Sequence, residues 1–144
     1  MSEGTQEQME FQIPKHGTLC WTEIASSDLE ASVNFYSELF GWTIKKSQNE
    51  EVPMDYREYD TGMGHPSGGM YQLDPEMFGG KENMPPPHFM NYVSVDDINA
   101  SITKVKDLGG TVMGEPHDIP KVGTMAVVND PSGATFAMLQ FVTP

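Results

Sequence analysis

One acid stands alone in an apolar run near the start of the chain, and chemistry could begin there: Glu23, within Thr18-Leu19-Cys20-Trp21-Thr22-Glu23-Ile24. Side chains two apart in a strand share a face, so Glu23 would stand beside Trp21 and Leu19. Buried among apolar neighbours, its carboxyl would lose hydration, its pKa would rise, and it could accept a proton or hold a cationic or hydroxyl-bearing ligand. A glutamate facing solvent, or capping a backbone group, is the plain alternative. A later run, His88 to Val95, places His88, Met90 and Tyr92 on one face. If Trp21 and Met90 look into a cleft, then Glu23, Tyr92 and His88 do so too, giving an aromatic floor with three polar groups. The candidate catalytic residues are therefore Glu23, Tyr92 and His88. Against this, Tyr92 and Trp21 could be core residues with their polar ends satisfied, and His88, following Pro85-Pro86-Pro87, could be a strand-entry residue.

Other reactive side chains offer less. His16, His65, His88 and His117 are scattered and follow no metal-ligand spacing. His117-Asp118 is expected in a loop over the cleft mouth, or as an ordinary solvated pair. Cys20 is the single cysteine, reads as a core thiol, and leaves no cysteine-based metal or redox motif. The eleven methionines are spread along the chain, which suits gap filling, with Met90 placed in the pocket.

The elements that must position these residues come in two similar sets. Asp28-Leu29-Glu30-Ala31-Ser32-Val33 returns 69 residues later as Asp97-Ile98-Asn99-Ala100-Ser101-Ile102, and Pro66-Ser67-Gly68 returns at an offset of 65 as Pro131-Ser132-Gly133. A repeat of this kind signals a duplicated supersecondary unit. In the first copy the pattern predicts a strand at 18–24, a helix from Leu29 to Phe40 with Leu29, Val33, Tyr36, Leu39 and Phe40 on its apolar face, and strands at 42–46, 54–59 and 69–73. Ser27 or Asp28 caps the helix and Gly41 ends it. The second copy predicts strands at 88–95, 111–114, 123–129 and 134–142, a helix from Ile98 to Leu108, and a loop over 115–122. This gives a tail over 1–15, a βαβββ unit over 16–73, a proline- and glycine-rich linker over 74–87, and a second βαβββ unit over 88–144. Two such units could enclose a cleft.

Composition narrows the classes. A chain of 144 residues with 38% hydrophobic content suits one globular domain. Eight Lys and Arg against twenty-one Asp and Glu, a formal charge of -13, disfavour nucleic acid and anionic membrane surfaces as partners. No run approaches the roughly 20 apolar residues of a membrane span, and the acidic, polar start does not read as a signal peptide. A cytoplasmic location is the expectation.

Trp21-Thr22-Glu23-Ile24, the segment Asp28 to Tyr36 leading into Leu39-Phe40-Gly41-Trp42, and Asp130-Pro131-Ser132-Gly133-Ala134 together resemble the vicinal oxygen chelate superfamily of glyoxalase I, bleomycin-resistance proteins and extradiol dioxygenases. The resemblance covers nearly the whole chain after the tail and is specific for fold and weak for activity. It implies an α+β fold of two βαβββ units forming paired curved mixed sheets around a cleft. Phe35-Tyr36-x-x-Leu39-Phe40-Gly41-Trp42 and Gly69-Met70-Tyr71 look like a glyoxalase-related, hydroxylase-like subgroup. Family enzymes hold a divalent cation with residues of the first and last strands of each copy. Seven residues before each helix-starting aspartate this chain has Trp21 and Met90, and the resemblance places Ala137 and Gln72 at the other two positions. Only Gln72 offers a donor, where three or more are needed, so no metal and no other cofactor is expected.

The implied pocket comprises Trp21, Glu23, Gln72, Met90, Tyr92 and Ala137. Three functions stay open: metal-free binding of a small organic molecule in an apolar cleft; a lyase, isomerase or hydroxylase-like enzyme moving a proton through Glu23, or a glyoxalase-type metal enzyme with non-standard ligands; and a protein-interaction role. A homodimer is implied by family analogy.

Overall fold

The computed structural model describes residues 12–143, so the expected tail lies outside the described residues as far as Phe11. The elements are β1 (Leu19–Ser26), α1 (Leu29–Phe40), β2 (Thr43–Lys46), β3 (Tyr56–Asp60), β4 (Gly68–Gln72), β5 (His88–Ser94), α2 (Ile98–Asp107), β6 (Thr111–Ile119), β7 (Gly123–Asn129) and β8 (Thr135–Phe141). The predicted linker holds two short 3-10 turns, Pro75–Phe78 and Lys81–Asn83.

Local chemistry explains the helix bounds. Asp28 accepts from the Ala31 N–H at 3.2 Å and Asp97 from the Ala100 N–H at 3.1 Å, each satisfying a free donor of the first turn. Gly41, at φ 76°, supplies the left-handed residue that stops α1. A second cap was not anticipated: Gln72 Oε1 accepts from the Leu29 N–H at 2.9 Å, and Gln140 Oε1 accepts from the Ile98 N–H at 2.8 Å.

The strands form one eight-stranded sheet in the order β2-β3-β4-β1-β5-β8-β7-β6. Each βαβββ unit contributes four strands, with β1 parallel to β4 and β5 parallel to β8, and the units join edge to edge through the antiparallel β1–β5 pair. Both helices lie on one face. Leu29, Val33 and Tyr36 of α1 pack with Ile24, Tyr59 and Met70, while Ile98, Ile102 and Val105 of α2 pack with Ala126, Val128 and Met138. Leu39 and Phe40, assigned above to the apolar face of the first helix, are instead exposed at 56 and 58%, and Leu108, the expected end of the second helix, is exposed at 67%. They close the last turns, and Phe40 lies at the outer margin of an aromatic stack, 5.4 Å from Trp42.

The other face is turned inward. Strands lie about 4.8 Å apart, so a flat sheet would hold the β2–β3 loop far from the β6–β7 turn. Yet Asn49 Nδ2 donates to the Pro120 carbonyl at 2.8 Å and Lys121 Nζ lies 3.3 Å from Glu51. The sheet therefore curls until the loops of its opposite ends meet. The loop predicted over 115–122 is corrected here: β6 continues to Ile119, with an irregularity between Met113 and His117, so His117 and Asp118 pair with Met125 and Thr124. Gly114 at φ 82° lets the strand bend and resume pairing. Among the described residues no helix is long and apolar enough to cross a membrane.

Candidate functional site

The inner face is largely apolar and carries one acid near its centre. Tyr92, Met125, Ala137 and Leu139 are buried there, and Cys20, Trp21, Met90, Ile119, Val122, Val127 and Phe141 pack against them. Glu23 enters from β1 by the alternation that also turns Trp21 inward. Its carboxyl is held at both oxygens: Tyr56 donates to Oε2 at 2.7 Å and Tyr92 donates to Oε1 at 2.8 Å. Trp21 Nε1 donates to the Tyr56 hydroxyl at 2.8 Å, and the Tyr92 hydroxyl also lies 3.7 Å from Met125 Sδ.

A close approach of backbone and ring makes this possible. Gly69 pairs with Glu23 on one side and Glu58 on the other, and a Cβ there would fall inside the Tyr56 phenol. With no side chain at 69, the ring lies across β4 and reaches the carboxyl two strands away. Gly68 does the same on the helix face, where Tyr59 crosses β4 and donates to the Thr22 carbonyl at 2.8 Å. Adjacent glycines inside a strand signal such approaches, and they are the clue that could have brought Tyr56 into the candidate set.

Burial raises the Glu23 pKa above the ordinary carboxylate value, opposed by the hydrogen bonds from Tyr56 and Tyr92 and by the charge of His88. Burial first, and the neighbouring Glu23 charge second, push both phenols far up, so they stay protonated and remain donors. Tyr71, on the same face of β4, is pushed up to about 12 by burial and by Glu23. Cys20 is raised by burial, as expected of a packed thiol.

The structure brings together Trp21, Glu23, Met90, Tyr92 and Ala137 on the inner face. His88 shares that face, one step along β5 from Met90, but is not hydrogen-bonded to Glu23. Its Nδ1 lies 2.7 Å from the Pro86 carbonyl. A carbonyl only accepts, so Nδ1 carries hydrogen and Nε2 is the nitrogen free to exchange a proton. A cavity of about 450 Å³ lies between β1, α1 and the start of β5 with His88 on its wall, and another of about 480 Å³ lies beside the β2–β3 loop with Tyr56 on its wall; Glu23, Trp21, Met90 and Tyr92 line neither.

Gln72 is a correction. It belongs to the helix face, where its amide caps α1 and donates to the Ser27 carbonyl at 2.9 Å. The Pro-Ser-Gly echo misplaced it, because that echo sits at different depths in the two strands. Strand pairing sets Gly69 beside Glu23 and Ala137 beside Tyr92, so Gly69 is the partner of Ala137 at an offset of 68. The four family metal positions are thus Trp21, Gly69, Met90 and Ala137. An indole N–H, no side chain, a thioether and a methyl do not make a site for a divalent ion. Among the described residues no group of three or more His, Cys, Asp or Glu is placed to hold one.

Comparison with known proteins agrees with this architecture. The chain is 36% identical over 124 residues to the Mycobacterium tuberculosis protein named "Putative glyoxylase CFP32", covering 86% of this chain and 44% of that protein. It is 31% identical over 127 residues to the Streptomyces peucetius anthracycline biosynthesis protein DnrV, covering 85% of this chain and 46% of that one. It thus spans less than half the length of these relatives. In fold it resembles the hypothetical protein BH1468 of Bacillus halodurans (TM-score 0.62, 16% identity, 90% of this chain and 98% of that chain). It also resembles the methylmalonyl-CoA epimerase of Mycobacterium tuberculosis (TM-score 0.59, 13% identity, 95% and 96%). The family model that matches residues 18–138, nearly the whole sheet, makes the chain a member of the Glyoxalase/Bleomycin resistance protein/Dioxygenase superfamily.

Proposed function

We propose that the chain is a metal-independent acid–base enzyme acting on a small organic carbonyl compound, with Glu23 as the group that moves the proton. The observation that carries this is the Glu23 carboxyl itself, set in an apolar cup with a phenol on each oxygen and a raised pKa. A base in this state suits removal of a proton from carbon next to a carbonyl. The C–H bond breaks, its electron pair passes to the carbonyl oxygen as an enolate, and the proton rests on Glu23 until it returns to carbon or leaves with water. His88 Nε2 is the second group on this face able to exchange a proton. The methylmalonyl-CoA epimerase named among the fold neighbours shares a scaffold with this chain, and epimerisation is removal and return of a proton. That likeness is of fold, so the weight of the reading stays on the carboxyl.

The donor set supports a reaction without a metal, since the family's four positions supply no ligand. The test is exchange in heavy water: 2-oxo acids, hydroxyketones and acyl thioesters are incubated with the protein, and loss of the carbon-bound proton is followed by NMR. Exchange is expected with at least one class, and Glu23→Gln should slow it by about 10² to 10⁴, the usual contribution of a positioned acid–base group. Exchange that survives Glu23→Gln, or none with any class, would refute the proposal.

A second reading, binding without turnover, is favoured by one feature. The lining around the carboxyl is largely apolar, with Met125, Ala137 and Leu139 buried beside Tyr92, which suits holding an organic ligand by burial alone. Tight binding of a panel compound with no exchange would select it.

A further inference from the structure

The two oxygens of Glu23 look equivalent, one phenol each, but their partners are not. An indole N–H can only donate, so the Tyr56 hydroxyl must accept from Trp21, and its single proton is left to point at Oε2. A proton on Oε2 would face that proton head-on. On the other side, Tyr92 has two acceptors within reach, Glu23 Oε1 at 2.8 Å and Met125 Sδ at 3.7 Å. It can donate to Oε1 when the carboxyl is ionised. It can also turn its proton to the thioether and accept from Oε1–H when the carboxyl is neutral.

We propose that Glu23 is polarised by this network: Oε2 is a fixed anchor held by the Trp21–Tyr56 relay, and Oε1, facing Tyr92, is the oxygen that gains and loses the proton. This rests on Glu23 being the proton-transfer group. Trp21 and Tyr56 are then positioning residues, and Tyr92 with Met125 forms a hydroxyl switch that follows the proton. The substrate carbon must approach the Oε1 side, toward β5 and β8, where Met90, Ala137 and Leu139 form the apolar wall. The other titratable groups on this face are Tyr71 from β4, Glu58 from β3, Lys45 from β2, His88 from β5, His117 from β6 and Cys20 from β1. None of them is hydrogen-bonded to the Glu23 carboxyl.

The polarity has a signature that a symmetric pair of phenols lacks. The Tyr56 bond supports only the ionised carboxylate, so losing it favours protonation. The Tyr92 bond supports both forms, as donor to one and acceptor from the other, so losing it moves the balance little. The experiment is a carbon-13 NMR titration of the Glu23 carboxyl in the full chain without substrate, its signal identified by its loss in Glu23→Gln. Tyr56→Phe is expected to raise proton affinity about tenfold, the effect of one hydrogen bond to a charged group. Tyr92→Phe should change it by less than about threefold. Met125→Leu, which keeps the volume, should lower the affinity, because the neutral form loses the acceptor for the turned phenol. Should Tyr56→Phe fail to fold, Trp21→Phe releases the Tyr56 proton and should shift the titration in the same direction. Equal shifts for the two tyrosine variants, or a larger one for Tyr92→Phe, would overturn the proposal. The readout needs no turnover, so the order can hold even if the exchange assay fails, which would sink the catalytic reading alone.

Discussion

On the helix side the two halves of the sheet are near copies, and on the inner side they are not. Asp28 and Asp97 cap the helices, Gln72 and Gln140 cap them again, and Leu29 with Met70 is answered by Ile98 with Met138. Across the sheet, Glu23 is answered by Tyr92, Trp21 by Met90, Gly69 by Ala137 and Tyr71 by Leu139. The helix side solves one packing problem twice, and each solution needs the same shapes and caps. The inner side encloses a single cup, so its halves are free to differ, and the acid, the indole and two of the phenols gather in the first. Its polar network lies on the part of the fold that docking of the helices leaves unconstrained.

The sharpest way to break this contrast is at the matched positions Gly69 and Ala137. Gly69→Ala puts a methyl into the Tyr56 ring and should cost about 1–3 kcal/mol, the usual range for overpacking, and release Glu23 Oε2. Ala137→Gly opens space in the apolar half and should cost about 1 kcal/mol. Urea unfolding of both variants checks the difference, and equal losses would mean the halves are equally tight. A smaller effect should be shared by both halves: Gln72→Ala and Gln140→Ala each remove a helix cap and should each lose about 1 kcal/mol, read in the same way. A large inequality there would break the likeness of the helix side.

The smallest expected effect is a pH slope of opposite sign at the two kinds of acid. The folded protein holds the Glu23 proton more tightly than the unfolded chain. Stability from this group is therefore full below the unfolded carboxyl value of about 4.3 and is lost as pH rises through the raised folded value. Asp60 and Asp130 are lowered, each first by hydrogen bonds within its own turn, to the Gly62 N–H and to Ser132 respectively. Their contribution is present above about 3.9 and is lost as pH falls. Thermal melts between pH 4 and 8 should show the first slope in the native chain and not in Glu23→Gln. A slope unchanged by that substitution would place the titrating group elsewhere.

Much of this was legible along the chain. The helix from Leu29 to Phe40 lies where its cap and its stop glycine put it, and β7 begins and ends where the turn residues predict, because these signals act over a few neighbouring residues. Alternation alone turned Trp21, Glu23, Met90 and Tyr92 to one face. The failures share a cause. Gln72 was misplaced by matching two short motifs that sit at different depths in their strands. Tyr56 was overlooked because its value lies in a contact to Glu23 across 33 residues.

What the sequence by itself determined is therefore the local and periodic part: two βαβββ units, the helix caps, the face on which an acid would lie, and a donor set too poor for the family's metal. Tertiary structure alone decided which phenols reach that acid, that a missing side chain at Gly69 lets one of them through, and that an indole proton gives its two oxygens different surroundings. The physical reason is that a cap or a strand face is set by backbone geometry within a few residues. A hydrogen-bond network is set by register between strands distant in the chain, and a shift of one residue would turn every member of it to the other face.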